Sequence, residues 1–223
     1  MSSRGIEAIV EERTTVELQH LNVKLLLENS QDLDLDAIVN VFHGWIQEQL
    51  CEELLLDVAD YRHVHHGPGV VLIGHEADYA IDNTGGRWGI RYNRKASVAG
   101  SNQNRLIQSA RAALLAAQRL QQDTRLNGKY NFNGREIELI VNDRLLAPNT
   151  PENRDLLQAE IHSFAQTLFG TAEYSLTFET DPRKLSGVRI QVGQRTATDI
   201  LLQDLIQRTP NRSANWSPNY DAL

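Results

Sequence analysis

Strand and helix patterns follow one another in the same order twice along this chain, and every helix carries an apolar stripe that needs a sheet face to cover it. Leu21, Val23, Leu25 and Leu27 alternate with Asn22, Lys24 and Leu26, the period of a strand. Asp34 or Asp36 can cap a following helix in which Ile38, Val41, Phe42, Trp45 and Ile46 share a face. Strands are predicted near 54–64, 70–81 and 87–94. Ser101 then caps a helix whose stripe is Leu106, Ala110, Ala113, Leu114, Ala117 and Leu120. The second half starts with Asn133-Gly134, which favours positive φ and reads as a hairpin turn before a strand with Ile137, Leu139 and Val141 on one side. Thr150 and Pro151 open the next helix, with Leu157, Ile161, Phe164 and Leu168 inward. Strands near 174–180 and 188–192 and a helix near 198–207 close the pattern.

The expected fold is therefore α+β, a mainly antiparallel sheet with helices on one face, built from a duplicated β-α-β-β-α unit with a strand added to the first copy. Four segments follow: an N-terminal extension 1–15, a first unit 16–125, a second unit 126–207 packed on the first, and a C-terminal tail 208–223. Trp216 and Tyr220 stand in that otherwise polar tail and suit docking on the body or on a neighbour. A homo-oligomer or protein partner reached through the tail is expected.

A net charge of −7 argues against a nucleic-acid backbone as the main partner. No apolar run is long enough for a membrane span, so no membrane partner is expected. With a single cysteine, Cys51, no internal disulfide can form, and a reducing cytoplasm is the expected location. Cys51 itself suits a small buried hydrophobe. The glycine pairs Gly67-Pro68-Gly69 and Gly85-Gly86 read as turns, not phosphate loops, because neither links a strand to a helix N-terminus. No cofactor is expected.

The chemistry concentrates around Asp60–Tyr79. His63 and His65 share one face of a strand by period two, and with His66 they form the candidate metal ligands. If the turn spans His65–Gly69, Val64 faces Val70, and His75 lies about 13 Å from the His63 row, too far to share an ion. The same parity sets His75 on an apolar face with Val71, Ile73, Tyr79 and Ile81, either as a buried histidine or as an acid or base oriented by Glu76 or Asp78. His75, Glu76 and Asp78 are the candidate catalytic set.

A turn at Asn83–Gly86 would put Asp82 opposite Arg87 and Asp78 opposite Arg91, a solvated charge ladder. Alternatively Arg87, Arg91 and Arg94 hold an anionic ligand, with Lys95 on the Arg87 and Arg91 face. Asn142, Asp143 and Arg144 are further ligand-binding candidates, at a strand end that leads into a helix cap.

The runs Asp57–Val64, Gly67–Tyr79, Tyr92–Lys95 and Asn142–Thr150 resemble a group of uncharacterised bacterial proteins over about residues 20–195. The resemblance implies no activity, ligand or catalytic residue. Two functions follow from the residues: a non-enzymatic binding or assembly protein, and a small enzyme acting on an anionic substrate with a His/Glu/Arg site. Metal binding by the histidine run is a third.

Overall fold

The alternating leucines and valine at 21–27 form strand β1 (Leu21–Leu27), the middle of an eight-stranded antiparallel sheet. The structure is a computed structural model that describes residues 15–31 and 33–209. After β1 come α1 (Leu35–Glu48), β2 (Leu55–Tyr61), β3 (Gly69–Gly74), β4 (Ala77–Asp82), β5 (Gly89–Arg94) and α2 (Asn102–Gln122). The second half supplies β6 (Phe132–Val141), α3 (Pro151–Phe169), β7 (Tyr174–Phe178), β8 (Ser186–Val192) and α4 (Thr198–Arg208). Four strands, not three, separate α1 from α2, because the apolar run 70–81 is a hairpin of β3 and β4. The two expected segments meet edge to edge: β1 pairs with β6, Val23 opposite Leu139, so both halves share one sheet of order β2-β3-β4-β5-β1-β6-β8-β7.

Local chemistry starts each of the first three helices as the residues imply. Asp34 accepts from the Ala37 amide at 2.9 Å, and Ser101 accepts from Asn104 at 3.2 Å. Thr150 accepts from Asn153 at 3.3 Å, with Pro151 in the first turn. Helix α1 ends at Gln49, whose φ of 47° is left-handed. No described helix is long and apolar enough to cross a membrane.

All four helices lie on one face of the sheet. Trp45 of α1 meets Tyr79 edge-on at 6.4 Å, and Tyr79 meets Tyr92 at 5.2 Å. Gln108 of α2 bonds the Tyr92 hydroxyl. At the other end Leu106, Leu157 and Ile161 close over Leu139, Val141 and Val188. Val23, Ile38, Val41, Phe42, Ile90, Leu114, Ile137 and Phe164 are fully buried in this layer, each stabilising by roughly 1.5–3 kcal/mol relative to exposure.

Asn133-Gly134 is not a hairpin turn. It lies inside β6, where the β1–β6 register slips between Leu25 and Leu27, so the pair's positive φ serves a strand irregularity. The Asn133 side chain takes the amides of Arg135 and Glu136 there. Gly134 has φ +57°, and a Cβ on it would stand 1.8 Å from the Thr196 carbonyl oxygen. Gly134→Ala is therefore expected to destabilise by about 3 kcal/mol or more, well beyond an ordinary glycine replacement. Urea unfolding of the variant checks this, and an unchanged midpoint contradicts it.

Candidate functional site

The histidine run and His75 are not on facing strands. Strand β2 stops at Tyr61, opposite Gly69, so Val70 faces Asp60 rather than Val64. His63, His65 and His66 occupy the exposed loop beyond it, where the His65 and His66 rings stack at 3.9 Å. Among the described residues no three His, Cys, Asp or Glu side chains come together as a metal site. His75 is not on the apolar face. It and Glu76 form the reversal between β3 and β4, which leaves the His75 side chain 71% exposed and its Nδ1 3.5 Å from Glu76. The cause is Gly74: a Cβ there would come within 2.4 Å of the Ala77 carbonyl, so only glycine permits so tight a turn in an apolar run. Asp78 is held by Lys95 at 2.7 Å and by Asn93 at 3.3 Å.

The three candidate arginines of β5 and its approach divide between two faces. Arg94 points to the helix side, 3.9 Å from Glu53, whose buried carboxylate takes the hydroxyls of Tyr79 (2.7 Å) and Tyr92 (2.8 Å). Next to this network burial pushes the Cys51 thiol up to about 12, against the nearby Arg119, so the thiol stays protonated at neutral pH. Arg87 and Arg91 belong to the opposite, helix-free face. The expected register shifts there: Asp82 faces Gly89 and Ala80 faces Arg91.

On that helix-free face one row of residues runs across most of the sheet: Ala80, Arg91, Lys24, Glu138, Arg189 and Thr177. Lys24 is 3% exposed and Asp82 not at all, and Lys24 Nζ meets the carboxylate at 2.7 Å. Arg91 joins the same carboxylate at 3.0 Å. Burial lowers the Lys24 pKa, and Asp82 opposes that shift. Across the centre Arg87 bonds Glu136 at 2.5 Å and Glu138 at 2.7 Å, while Arg189 reaches Glu136 at 2.8 Å. Burial pushes the Glu136 carboxyl up, but Arg87, Gln191 and Arg189 outweigh it and hold the group below its ordinary 4.5. The buried oxygens Asn22 Oδ1 and Asn93 Oδ1 on this face have no hydrogen-bond partner among the described residues.

Where the ladder runs out, beyond Glu138 and Arg189, the face opens into a groove of ≈ 610 Å³. Gly187 forms its floor, because a Cβ there would enter space bounded by Ile140 and Glu179. Arg144, Arg183, Lys184 and Arg189 line it, against Glu138 and Glu179. Lys184 holds Glu179 at 2.7 Å and Arg183 holds Asp181 at 2.9 Å. Arg144 donates to the Arg183 carbonyl at 2.5 Å and meets no carboxylate among the described residues. Asn149 ties this loop to the α3 approach through the Asp181 carbonyl.

Of the residues singled out at 142–144, Arg144 faces the groove, while Asp143 turns to His20. The Asp143 carboxylate accepts from the Leu145 and Leu146 amides, both at 3.0 Å, and from His20 Nδ1 at 2.9 Å. Those amide bonds, the Leu146 one first, hold its pKa below the usual carboxylate range. The Asn142 amide meanwhile donates to the His20 carbonyl, so the pair clamps the ends of the central strands. His20, Gly187 and the basic turn 183–184 are not among the sequence candidates. The Asp-Pro-Arg-Lys run is a basic corner in the sequence, but its distance from Arg144 along the chain hides the connection.

No protein-family model matches this chain, and neither does any curated protein or solved structure.

Removing one member of the buried pair leaves a charge stranded. Asp82→Ala is expected to cost about 3–5 kcal/mol, and adding Lys24→Met to it to recover part of that loss. Chemical denaturation of both variants checks the pair; a double variant no more stable than the single one contradicts it. Glu136 gives a pH signature. A carboxylate with a depressed folded pKa contributes stability present above 4.5 and lost as pH falls through its folded value. Glu136→Gln should flatten the acid limb of urea midpoint against pH; an equally steep limb contradicts the assignment.

Proposed function

We propose that this is a non-enzymatic binding protein that receives a carboxylate- or phosphate-bearing partner in the groove at the β6–β8–β7 end of its helix-free sheet face. The observation that carries the reading is the groove itself: four cationic side chains line it, and Arg144 among them meets no carboxylate among the described residues, in a chain whose net charge is −7. Guanidinium groups at such a rim suit carboxylate and phosphate oxygens, which accept two parallel N–H bonds. Across the rest of the face the charges neutralise one another and present little to a ligand. A glycine floor leaves the depth that a side chain would fill. A reducing cytoplasm suits a chain whose one cysteine is a free, partly buried thiol. The same reading takes the two halves as copies of one unit, supported by the first strand of each half pairing with its last, β1 with β5 and β6 with β8.

The test is an amide-resolved NMR titration with inorganic phosphate, citrate and a short polyglutamate peptide. Saturable shifts are expected at Arg144, Gly187, Val188 and Arg189, weakening as salt rises. Arg144→Ala should lower the affinity about tenfold, the loss of one charge-assisted bond. Shifts confined to other surfaces, or none with any of the three probes, would end this reading.

The His20–Asp143 pair favours a second reading, a small enzyme on an anionic substrate. Its carboxylate fixes one imidazole nitrogen and leaves the other for proton transfer, one residue from Arg144 in sequence. Once a turnover is identified, its survival in His20→Ala would remove that alternative.

A further inference from the structure

The two edges of the sheet are treated in opposite ways. On β2 the Asp57 carboxylate takes the Val58 amide at 2.8 Å, the register slips between Leu55 and Asp57, and Asp60 is clamped by Arg62. A bulge and a row of charges are the usual devices that keep an edge strand from pairing with another chain. Strand β7 has none of them. Its five residues, Tyr174-Ser175-Leu176-Thr177-Phe178, carry no charge and no proline and are all strong or neutral strand formers. The Glu179 amide bonds the Gly187 carbonyl on β8, so by alternation Ser175 and Thr177 also turn their backbone groups inward. The N–H and C=O groups of Tyr174, Leu176 and Phe178 therefore point away from the sheet. No backbone or side-chain partner is assigned to those amides on the outer side among the described residues.

We propose that two copies of this chain pair through β7, antiparallel across a two-fold axis, with Leu176 of each copy opposite its counterpart. This inference stands apart from the groove's ligand and would hold if that reading failed. The strand is self-complementary in that register. Tyr174 falls opposite Phe178 on the helix side, and Ser175 opposite Thr177 on the helix-free side. The outward groups of 174, 176 and 178 all meet outward groups, each facing pair exchanging both of its N–H···O bonds. An aromatic pair and a hydroxyl pair are both favourable across strands, and no like charges face each other within the strand. At its margin Glu173 meets Glu179, whose carboxylate Lys184 already neutralises at 2.7 Å. Tyr174 is held in place beforehand by its hydroxyl, 3.0 Å from His162 Nδ1. Eight strands from each copy then form one continuous sheet, with the two grooves on the same face, one on each side of the axis.

Sedimentation of the full chain should give twice the chain mass at high concentration. Hydrogen exchange should slow at the Tyr174, Leu176 and Phe178 amides as concentration rises, with no such change at Val58. Leu176→Pro should sediment as a monomer, since the lost amide faces away from β8. If that variant does not fold cooperatively, the wild-type exchange pattern decides. A monomer at every concentration overturns the proposal, and so does a dimer whose new protection lies elsewhere. Protection of the β7 amides that ignores concentration also overturns it, because the occupant would then belong to the same chain.

Discussion

The antiparallel pairing of β1 with β6 is the contact on which the rest of the molecule depends. It joins the two halves through backbone bonds and sets Leu21, Val23 and Leu25 in line with Val141, Leu139 and Ile137. The apolar side of both halves becomes one surface, and the four helices share the task of covering it. The polar side becomes one surface by the same act. Lys24 and Glu138 face each other across this seam, so the charges of the two halves can compensate only when the pairing forms.

A sheet face without helices would ordinarily be solvated, yet its central side chains are withdrawn from water. Lys24 and Asp82 lose hydration that a single ion pair does not fully restore. Arg91 and the Thr84 carbonyl supply the remaining partners. Around Glu136 and Glu138 the guanidinium groups of Arg87 and Arg189 do the same from neighbouring strands. A network of this kind fixes register, since a slip of one residue would turn every charge into the helix layer. Beyond Arg189 the sheet narrows to two strands and a basic turn, and the cations there outnumber the carboxylates. At this end Arg144 meets no carboxylate among the described residues, whereas the charges nearer the centre are committed to one another.

The helix side has its own polar core, Glu53 with Tyr79, Tyr92 and Arg94 under Trp45. Its hydroxyls and carboxylate are turned toward one another. It orders the packing of α1 and α2 on β4 and β5, whereas the opposite face carries no helix. The two sheet edges contrast in a similar way: β2 carries a bulge and charges, whereas β7 carries no charge among its five residues.

Much of the architecture was legible in the residues alone. Alternation gave β1, the caps at Asp34, Ser101 and Thr150 gave the helix starts, and the apolar stripes showed which sides face the sheet. These are short-range matters, settled within a few residues by backbone sterics and hydrogen bonding. The site was far less legible. Alternation sets His75 on an apolar face because the run 70–81 reads as one strand, and only the crowding at Gly74 reveals the reversal. Asn133-Gly134 carries the signal of positive φ, but that signal does not distinguish a turn from a strand irregularity. Arg144 stands out at a strand end that leads into a helix cap, but the basic turn at 183–184 that completes its groove does not. Their meeting depends on the order in which strands assemble, which no local pattern encodes. The chain by itself determined the elements and their inward faces; tertiary structure decided which charges neutralise each other and which stay available, because electrostatic partners are chosen by distance in space rather than along the sequence.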